Sequence, residues 1–353
     1  MKPNKTKFLM SSRIKIEMGL LIIILTFFLI GYLRTLPKEI LTWYGKTHTI
    51  KKVPRKGNLD ATLLVASDIH VGSKSCNWSL KKDGKILKTC TPIRPWILKL
   101  IESMNTISDK FLPVFNQKVP IPSGVIVCGD LTQNGYDNQW IEYTRLFGLT
   151  GKDGKLKFPV FDIPGNHDLR NRAYTLTRMN QRQGGTLYFR DFNDLRIVAL
   201  GEAPSQQDLK KLMKILARTG KNRPVILFMH FPLYGPYSKT WFTADTYTES
   251  LYNIIKEFNI LAILHGHFHG SGYYKWKGFD VYNIGSVKHS QKDFGVIRVT
   301  DNYFFFGAWH LETQKWWWYH VKPVNGNKTI TEKLTVLSET PWVPYPSEWL
   351  SVP

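Results

Sequence analysis

The chain has 353 residues, of which 43% are hydrophobic and 14% aromatic, so it can bury a full globular core. Its 48 Lys and Arg against 27 Asp and Glu give a formal net charge of +21, which suits a phosphate-bearing substrate or an anionic membrane surface, or simply makes a solvated basic face. The basic residues are dispersed and no nucleic-acid-binding motif is present, which argues against nucleic acid as a partner.

The first 36 residues predict a membrane anchor. Residues 1–17 are polar and basic, and residues 18–33 are then apolar except for Thr26, without the polar face of a soluble helix. A cleavable signal peptide is the alternative, but the small-residue cleavage pattern that it needs is missing. More basic residues precede the span than follow it, which favours a single-pass membrane protein whose folded domain lies on the extracytoplasmic side.

A linker, a folded domain and a tail follow the anchor. Pro37, Pro54 and Gly57 mark residues 37–60 as the linker, and the tail, 326–353, has many prolines and few periodic cues. Hydrophobic patterning within the domain, 61–325, predicts buried strands at 62–66, 125–128, 159–163, 225–229 and 259–264, helices at 92–104, 205–217 and 248–258, a hairpin at 186–200, and antiparallel strands over 273–321. This mixture indicates an α/β fold.

The cysteines and a run of aromatic residues each leave alternatives open. Cys76 and Cys90 could form a disulfide outside a reducing cytosol, whereas Cys128 lies in an apolar run and suits a buried thiol. No C-x-x-C spacing is present, which argues against a thiolate metal site. Residues 316–319 are Trp-Trp-Trp-Tyr, which favours a half-buried strand over a surface for membranes or bases.

Polar metal-ligand side chains follow five of the predicted strands. They are Asp68 and His70, Asp130, Asn166 and His167, His230, and His267 with His269. Each group alone could be a capped turn, but ligands gather beyond the carboxyl ends of strands in open α/β sheets, so five strand ends can converge on one site. Carboxylate, amide and imidazole ligands without thiolate suit Mn, Fe or Zn.

The order and spacing of these five groups resemble the calcineurin-like metallophosphoesterase superfamily, over about residues 61–290. The resemblance implies a four-layer αββα sandwich with two divalent metal ions, identity open between Mn, Fe and Zn. It implies that one ion is held by Asp68, His70 and His269, the other by Asn166, His230 and His267, and both by a bridging Asp130. It further implies that His167 contacts the substrate phosphate and assists the leaving group, with Asp168 orienting it.

The resemblance is nearest to the bacterial-type phosphodiesterase and phosphohydrolase branch. The block 129–135 lacks both the tyrosine of purple acid phosphatases and the aspartate–arginine–glycine run of protein phosphatases, and block 270–272 departs from the lipid A pathway enzymes. Asn134 and Tyr136, after the predicted bridging residue, are candidates to meet substrate. His265, His289 and His310 have no ligand role in the pattern and are interpreted as structural.

The predicted function is hydrolysis of a phosphate mono- or diester by metal-activated water, in a membrane-anchored enzyme. The substrate would be a phosphorylated small molecule, a nucleotide or a lipid. The alternative is a protein-interaction scaffold on the same fold. In such a scaffold some of the metal-binding residues are typically replaced, and none of the expected ligands is missing here.

Overall fold

The computed structural model describes residues 58–80, 86–233, 245–288, 292–324, 326 and 329–337. The predicted membrane span at 18–33 and His289 lie outside these residues. Within the described part of the chain, no helix is long and apolar enough to cross a membrane.

The described helices are α1 (Arg94–Asn105), α2 (Asp137–Phe147), α3 (Arg172–Gln183), α4 (Gln206–Thr219) and α5 (Asp245–Ile255). The predicted helices at 92–104 and 205–217 correspond to α1 and α4, and that at 248–258 begins three residues earlier, as α5. Ser205 caps α4 through a capping box with Asp208, which fixes where that helix begins. The sequence patterns did not predict α2 and α3.

A seven-stranded mixed sheet forms one inner layer. Its strands lie in the order β17-β16-β15-β14-β1-β6-β7, and β1, β6 and β7 run parallel. The bounds are β1 (Asp60–Ala66), β6 (Gly124–Val127), β7 (Val160–Asp162), β14 (Asp293–Thr300), β15 (Tyr303–His310), β16 (Lys315–Pro323) and β17 (Lys333–Val336). The Trp-Trp-Trp-Tyr run lies in β16, with Trp318 and Tyr319 buried.

A six-stranded mixed sheet forms the other inner layer. Its order is β12-β13-β11-β10-β9-β8, and β9, β10, β11 and β13 run parallel. The bounds are β8 (Leu187–Phe192), β9 (Leu195–Leu200), β10 (Val225–Phe228), β11 (Ile260–His265), β12 (Gly272–Trp276) and β13 (Phe279–Asn283). The predicted hairpin at 186–200 is β8 and β9.

Three hydrophobic clusters define the layers. Leu63 of β1 and Phe228 of β10 belong to one cluster, which lies between the two sheets. Leu64 of β1 points to the opposite face, where a second cluster includes residues of α1 and α2. A third cluster joins the outer face of the six-stranded sheet to α4 and α5. The resulting order of helices, sheet, sheet and helices is the predicted αββα sandwich.

The sequence patterns did not predict two hairpins or the last strand of the seven-stranded sheet. The strands β2 (Lys74–Leu80) and β3 (Ile86–Pro92) form an antiparallel hairpin in which Cys76 pairs with Cys90 through a disulfide. The strand β17 pairs with β16, so the sheet includes part of the predicted tail at 326–353. A second small hairpin, β4 (Phe111–Leu112) with β5 (Gln117–Lys118), follows α1.

Candidate metal centre

The predicted ligands converge because the ends of five parallel strands meet at one edge of the sandwich. Asp68 and His70 follow β1, Asp130 follows β6, and Asn166 follows β7. From the facing sheet, His230 follows β10, while His267 and His269 follow β11. Backbone hydrogen bonds tie the loops together, from Asp68 N to Gly129 O at 3.0 Å and from Gly266 N to His230 O at 3.1 Å. Both sheets therefore contribute to one site.

Two groups of donor atoms form, and they share one carboxylate. Side-chain donor atoms lie within 4.8 Å of one another in each group, and Asp130 is common to both. The first group contains Asp68, His70 and His269; the second contains His230 and His267. Asn166 Oδ1 lies 3.0 Å from both His230 Nε2 and His267 Nδ1, so it joins the second group. The structure thus brings together all seven predicted ligands, in the predicted division.

The orientation of His230 leaves two acceptors facing each other. His230 Nδ1 lies 2.8 Å from the carbonyl of Cys128, so this nitrogen carries the hydrogen and Nε2 presents a lone pair. That lone pair is 3.0 Å from Asn166 Oδ1, which is also an acceptor. A backbone carbonyl that accepts the hydrogen of one imidazole nitrogen, and so leaves the other free, is typical of metal-binding histidines. The donor set therefore fits a divalent cation.

The carboxylates are also poised for cations. Asp130 Oδ2 is buried without a hydrogen-bond partner among the described residues. Burial raises the pKa of Asp130 well above its usual value, and the charges of Asp68 and Asp168 raise it further. Burial opposes ionisation of Asp68 as well, but its histidine neighbours, His269 first, hold its pKa well below the usual value. Positive charge at this point would stabilise the ionised form of both carboxylates.

Three histidines of the site, His70, His230 and His267, are neutral near pH 7. Burial lowers the pKa of His70 and His230, and it lowers that of His267 to about 3. Neutral imidazole is the form that binds metal ions. Next to them, His265 bonds Gly266 O and Tyr274 OH, each at 2.9 Å, and is buried, which agrees with its predicted packing role.

Five of the seven ligands have an unusual backbone conformation. Positive φ angles occur at Asp68 (54°), His70 (48°), Asp130 (51°), His267 (69°) and His269 (58°). Residues with a Cβ rarely adopt this left-handed backbone conformation, which costs about 1–2 kcal/mol for each residue. The concentration of such residues at one place identifies a functional site rather than ordinary turns.

Glycine is required where the loops approach the ligands. A Cβ on Gly165 would lie 2.2 Å from Asp130 Oδ1 and 2.8 Å from His230 Nε2. A Cβ on Gly266 would lie 2.5 Å from Asp68 Oδ2. Both glycines therefore allow the ligands to come together.

His167 lies beside the first donor group, with its ring centroid 4.6 Å from that of His70. Its Nδ1 is 2.9 Å from the carbonyl of Gln133, so Nδ1 carries the hydrogen in the neutral ring. Its Nε2 lies 3.4 Å from Arg170 NH2. Burial, opposed by the Gln133 hydrogen bond and reinforced by nearby cations, lowers the pKa of His167 to about 4.

Asp168 makes its contacts elsewhere than the sequence predicted. The carboxylate is buried and accepts hydrogen bonds from the backbone of Leu131, Thr132 and Gly165, and from the Thr132 hydroxyl at 2.6 Å. The His167 ring lies against the Gln133 carbonyl, whereas this carboxylate bonds the two neighbouring loops. Asp168 thus joins the loops after β6 and β7, and the ring is oriented by Gln133.

Sequence reasoning also missed Gln133, Arg170 and Lys288. Lys288 Nζ donates to Gln133 Oε1 at 3.3 Å, and Arg170 NH1 donates to Asn134 Oδ1 at 2.8 Å. Asn134, a candidate to meet substrate, is therefore hydrogen-bonded to Arg170, which itself contacts His167. Tyr136, the other candidate, is 56% exposed at the start of α2. Lys288 follows β13, which is the last strand of the six-stranded sheet along the chain, and no sequence pattern marks this lysine as part of the site.

A sequence model described as calcineurin-like phosphoesterase matches residues 61–271, which is more than half of the chain. This chain belongs to the calcineurin-like phosphoesterase family. The match spans the residues from β1 to the loop after β11, and so includes all seven metal-donor side chains. Membership accounts for the two donor groups that share Asp130.

Two curated relatives of this family member are described as cyclic nucleotide phosphodiesterases. The first, a probable cyclic nucleotide phosphodiesterase from Pseudoalteromonas sp. (strain SM9913), is 23% identical over 180 residues. The alignment covers 48% of this chain and 66% of the relative. The other, a 3′,5′-cyclic adenosine monophosphate phosphodiesterase from Haemophilus influenzae, is 25% identical over 167 residues, covering 44% of this chain and 58% of the relative. The alignments thus span about three fifths to two thirds of these relatives.

Solved structures share the fold at low identity. A dimetal phosphatase from Danio rerio has a TM-score of 0.52 at 12% identity, covering 79% of this chain and 99% of the other. GAP50, described as the anchor in the inner membrane complex of Plasmodium, has a TM-score of 0.55 at 13% identity, covering 77% and 91%. At these identities the similarity concerns the fold alone.

Proposed function

We propose that this chain is a metal-dependent phosphoric ester hydrolase that uses two divalent ions. The observation that carries the proposal is the sharing of Asp130 by two groups of metal-donor side chains, next to the half-buried His167. The first ion would be held by Asp68, His70 and His269, and the second by Asn166, His230 and His267. The alternative, an interaction scaffold, gains no support from the site, because no donor is replaced.

Two ions held here would offset the charge of a phosphate and lower the pKa of water enough to supply a nucleophile at neutral pH. The side chains around them do the rest. Gln133 fixes His167 so that only Nε2 is available to a substrate. A bound phosphate anion would raise the pKa of His167 and oppose the effect of burial, so that Nε2 can carry a proton to the departing alcohol.

The test is to strip the purified full chain of metal and reload it with Mn, Zn or Fe. We expect about two ions per chain by elemental analysis and hydrolysis of an aryl phosphate only after reloading. Asp130→Asn should lower both the metal content and the rate, the latter by on the order of 100-fold, because one carboxylate serves both groups. Asp109→Asn, an exposed carboxylate on a short helical turn, is the matched control. A folded, metal-loaded protein without activity on any ester would refute the proposal.

The substrate is a phosphate mono- or diester of a small molecule, nucleotide or lipid. Nucleotides are favoured by the descriptions of the two relatives as cyclic nucleotide phosphodiesterases. Side-by-side assays of 3′,5′-cyclic AMP, AMP and a lipid phosphate would separate the three classes. Hydrolysis of cyclic AMP alone would establish a diesterase, and activity on AMP alone would establish a monoesterase.

Membrane anchoring by residues 18–33 is the second part of the proposal, with 37–60 as linker and 61–325 as catalytic domain. The bonded pair Cys76–Cys90 favours a domain outside the reducing cytosol. We expect the full chain to remain in membranes after a carbonate wash, and Ile23→Arg with Ile24→Arg to release it. Thiols at Cys76 and Cys90 that react with an alkylating reagent in intact cells would contradict the extracytoplasmic orientation.

A further inference from the structure

Two cationic side chains lie next to His167 without belonging to either metal-donor group. The guanidinium of Arg170 reaches the Nε2 side of the imidazole, at 3.4 Å. Lys288 is linked to the other side of the ring, because its ammonium donates to Gln133 Oε1 at 3.3 Å and Gln133 Nε2 lies 3.1 Å from His167 Nδ1. The imidazole that points toward the substrate is thus flanked by two positive charges.

Neither cation is neutralised by a salt bridge to a carboxylate among the described residues. Arg170 is exposed and donates to the amide oxygen of Asn134 and toward His167, both of which are neutral. Lys288 is half-buried, and its ammonium donates a hydrogen bond to the amide oxygen of Gln133. By contrast, the guanidinium of Arg182 pairs with the carboxylate of Asp162 at 2.6 Å. Such neutral partners leave the charge available to an incoming anion.

The charge balance then indicates what kind of anion fits. Two divalent ions carry four positive charges, and the carboxylates that would hold them, Asp68 and Asp130, carry two negative charges, which leaves two positive charges. Arg170 and Lys288 add two more. A phosphomonoester carries between one and two negative charges at neutral pH, with a second pKa of about 6, whereas a diester carries one. Each additional cation therefore favours the monoester over the diester.

We propose that Arg170 and Lys288 bind the phosphate oxygens of the substrate and give the site a preference for phosphomonoesters. The proposal rests on the function proposed above and narrows its substrate class. Arg170 exchanges its contact with His167 Nε2 for a phosphate oxygen, which frees that nitrogen for the leaving group. Lys288 approaches from the Gln133 side, so the two cations contact different oxygens. A guanidinium suits this task because it presents several donors in one plane.

The first experiment measures binding without turnover. Inorganic phosphate is titrated calorimetrically into the metal-loaded full chain and into Arg170→Gln and Lys288→Gln, and the metal content of each sample is checked. We expect the dissociation constant to rise about tenfold in each variant at unchanged metal content, in line with the loss of one charge-assisted hydrogen bond. Arg170→Lys should recover part of the affinity. Lys210→Gln, on the exposed face of α4, is the matched control and should bind as the unchanged protein does.

The second experiment measures selectivity. The ratio of kcat/KM for 4-nitrophenyl phosphate to that for bis(4-nitrophenyl) phosphate should fall about tenfold in both variants, while diester hydrolysis changes little. Equal loss on both substrates, or unchanged phosphate binding with metal retained, would overturn this inference and leave the proposed function standing. Absence of hydrolysis of either ester by the unchanged, metal-loaded protein would instead refute the proposed function.

Discussion

At the scale of single residues, the site depends on close approach as much as on ligand identity. Gly165 illustrates this, because any Cβ there would meet Asp130 Oδ1 at 2.2 Å and the backbone nitrogen of Asp130 at 2.4 Å. Those atoms belong to the carboxylate shared by both donor groups and to the loop that carries it. The smallest possible side chain at this position would therefore displace the shared ligand.

Gly165→Ala should weaken metal binding by on the order of 10- to 100-fold while leaving a folded protein, since the clash lies at the site and not in the core. Competition with a metal-binding dye measures the affinity. Gly184→Ala is the control, because a Cβ on Gly184, which caps the C-terminus of α3 at φ 82°, meets nothing within 4 Å. That variant should lose about 1 kcal/mol of stability and retain its metal affinity. Equal metal affinities in the two variants would contradict this reading.

The residue scale also shows what sequence can and cannot predict. His267 and His269 were predictable because they follow an apolar strand and a glycine, a pattern that marks strand-end ligands. The role of Gln133 was not predictable, because it contacts His167 through its backbone carbonyl, which every residue type has. The family resemblance implied that Asp168 orients the neighbouring imidazole. Its carboxylate instead satisfies backbone N–H groups of a loop about 36 residues earlier in the chain, including Thr132 N.

At the scale of elements, the parallel strands were predictable, but the sheet to which each later strand belongs was not. Residues 63–66 and 225–229 are uninterrupted apolar runs, which is the signature of strands buried on both faces. In contrast, β13 and β14 both read as antiparallel strands, although β13 pairs with β11 in one sheet and β14 with β1 in the other. Local patterning carries no information on which sheet a strand joins.

The β2–β3 hairpin is anchored close to the first metal-donor group. Ser73, which precedes β2, donates its N–H to His70 O at 2.9 Å, and Ile93, which follows β3, donates to Ser73 O at 3.3 Å. The disulfide between Cys76 and Cys90 joins directly opposed positions of the two strands. It therefore closes the base of the hairpin within a few residues of His70.

Replacing Cys76 and Cys90 together by Ser should lower the free energy of unfolding by up to about 3 kcal/mol, the chain-entropy value for a closed loop of this length, whose cysteines are 14 positions apart. Urea titration of both proteins measures the difference. A reducing agent should destabilise the unchanged protein similarly and leave the double variant unaffected. Cys128, a buried thiol, provides the control for non-specific effects of the reagent.

At the scale of the whole molecule, buried neutral histidines couple stability to pH. The pKa of His265 is lowered to about 4 by burial, and burial also lowers those of His70, His230 and His320, the last to about 4. In the unfolded chain these groups bind protons near pH 6.5, so between pH 6.5 and 4 the unfolded state holds more protons than the folded one. These histidines therefore destabilise the folded state as the pH falls through this window, whereas the buried carboxyls of Asp130, Asp168 and Asp293, whose pKa values burial raises, act in the opposite direction.

The metal-free protein should be less stable at pH 5 than at pH 7.5, and His265 alone contributes up to about 3 kcal/mol when the pH falls fully to 4. Urea unfolding at the two pH values, in the presence of a chelator, measures the effect. Saturating Mn should raise stability at pH 7.5 more than at pH 5, because metal ions compete with protons for the same imidazoles. Stability that does not fall between pH 7.5 and pH 5 would show that the histidines do not outweigh the buried carboxyls.

The left-handed conformation of the ligands has a consequence for how the chain can change. Glycine adopts a left-handed backbone more readily than any other residue, yet it supplies no donor atom. The positions concerned are Asp68, His70, Asp130, His267 and His269. Glycine would relieve the backbone strain at these positions, but it would remove the donor atom and, at the buried His70, leave a cavity in place of the imidazole. Bound ions would therefore also hold five loop residues in a backbone conformation that residues with a Cβ disfavour.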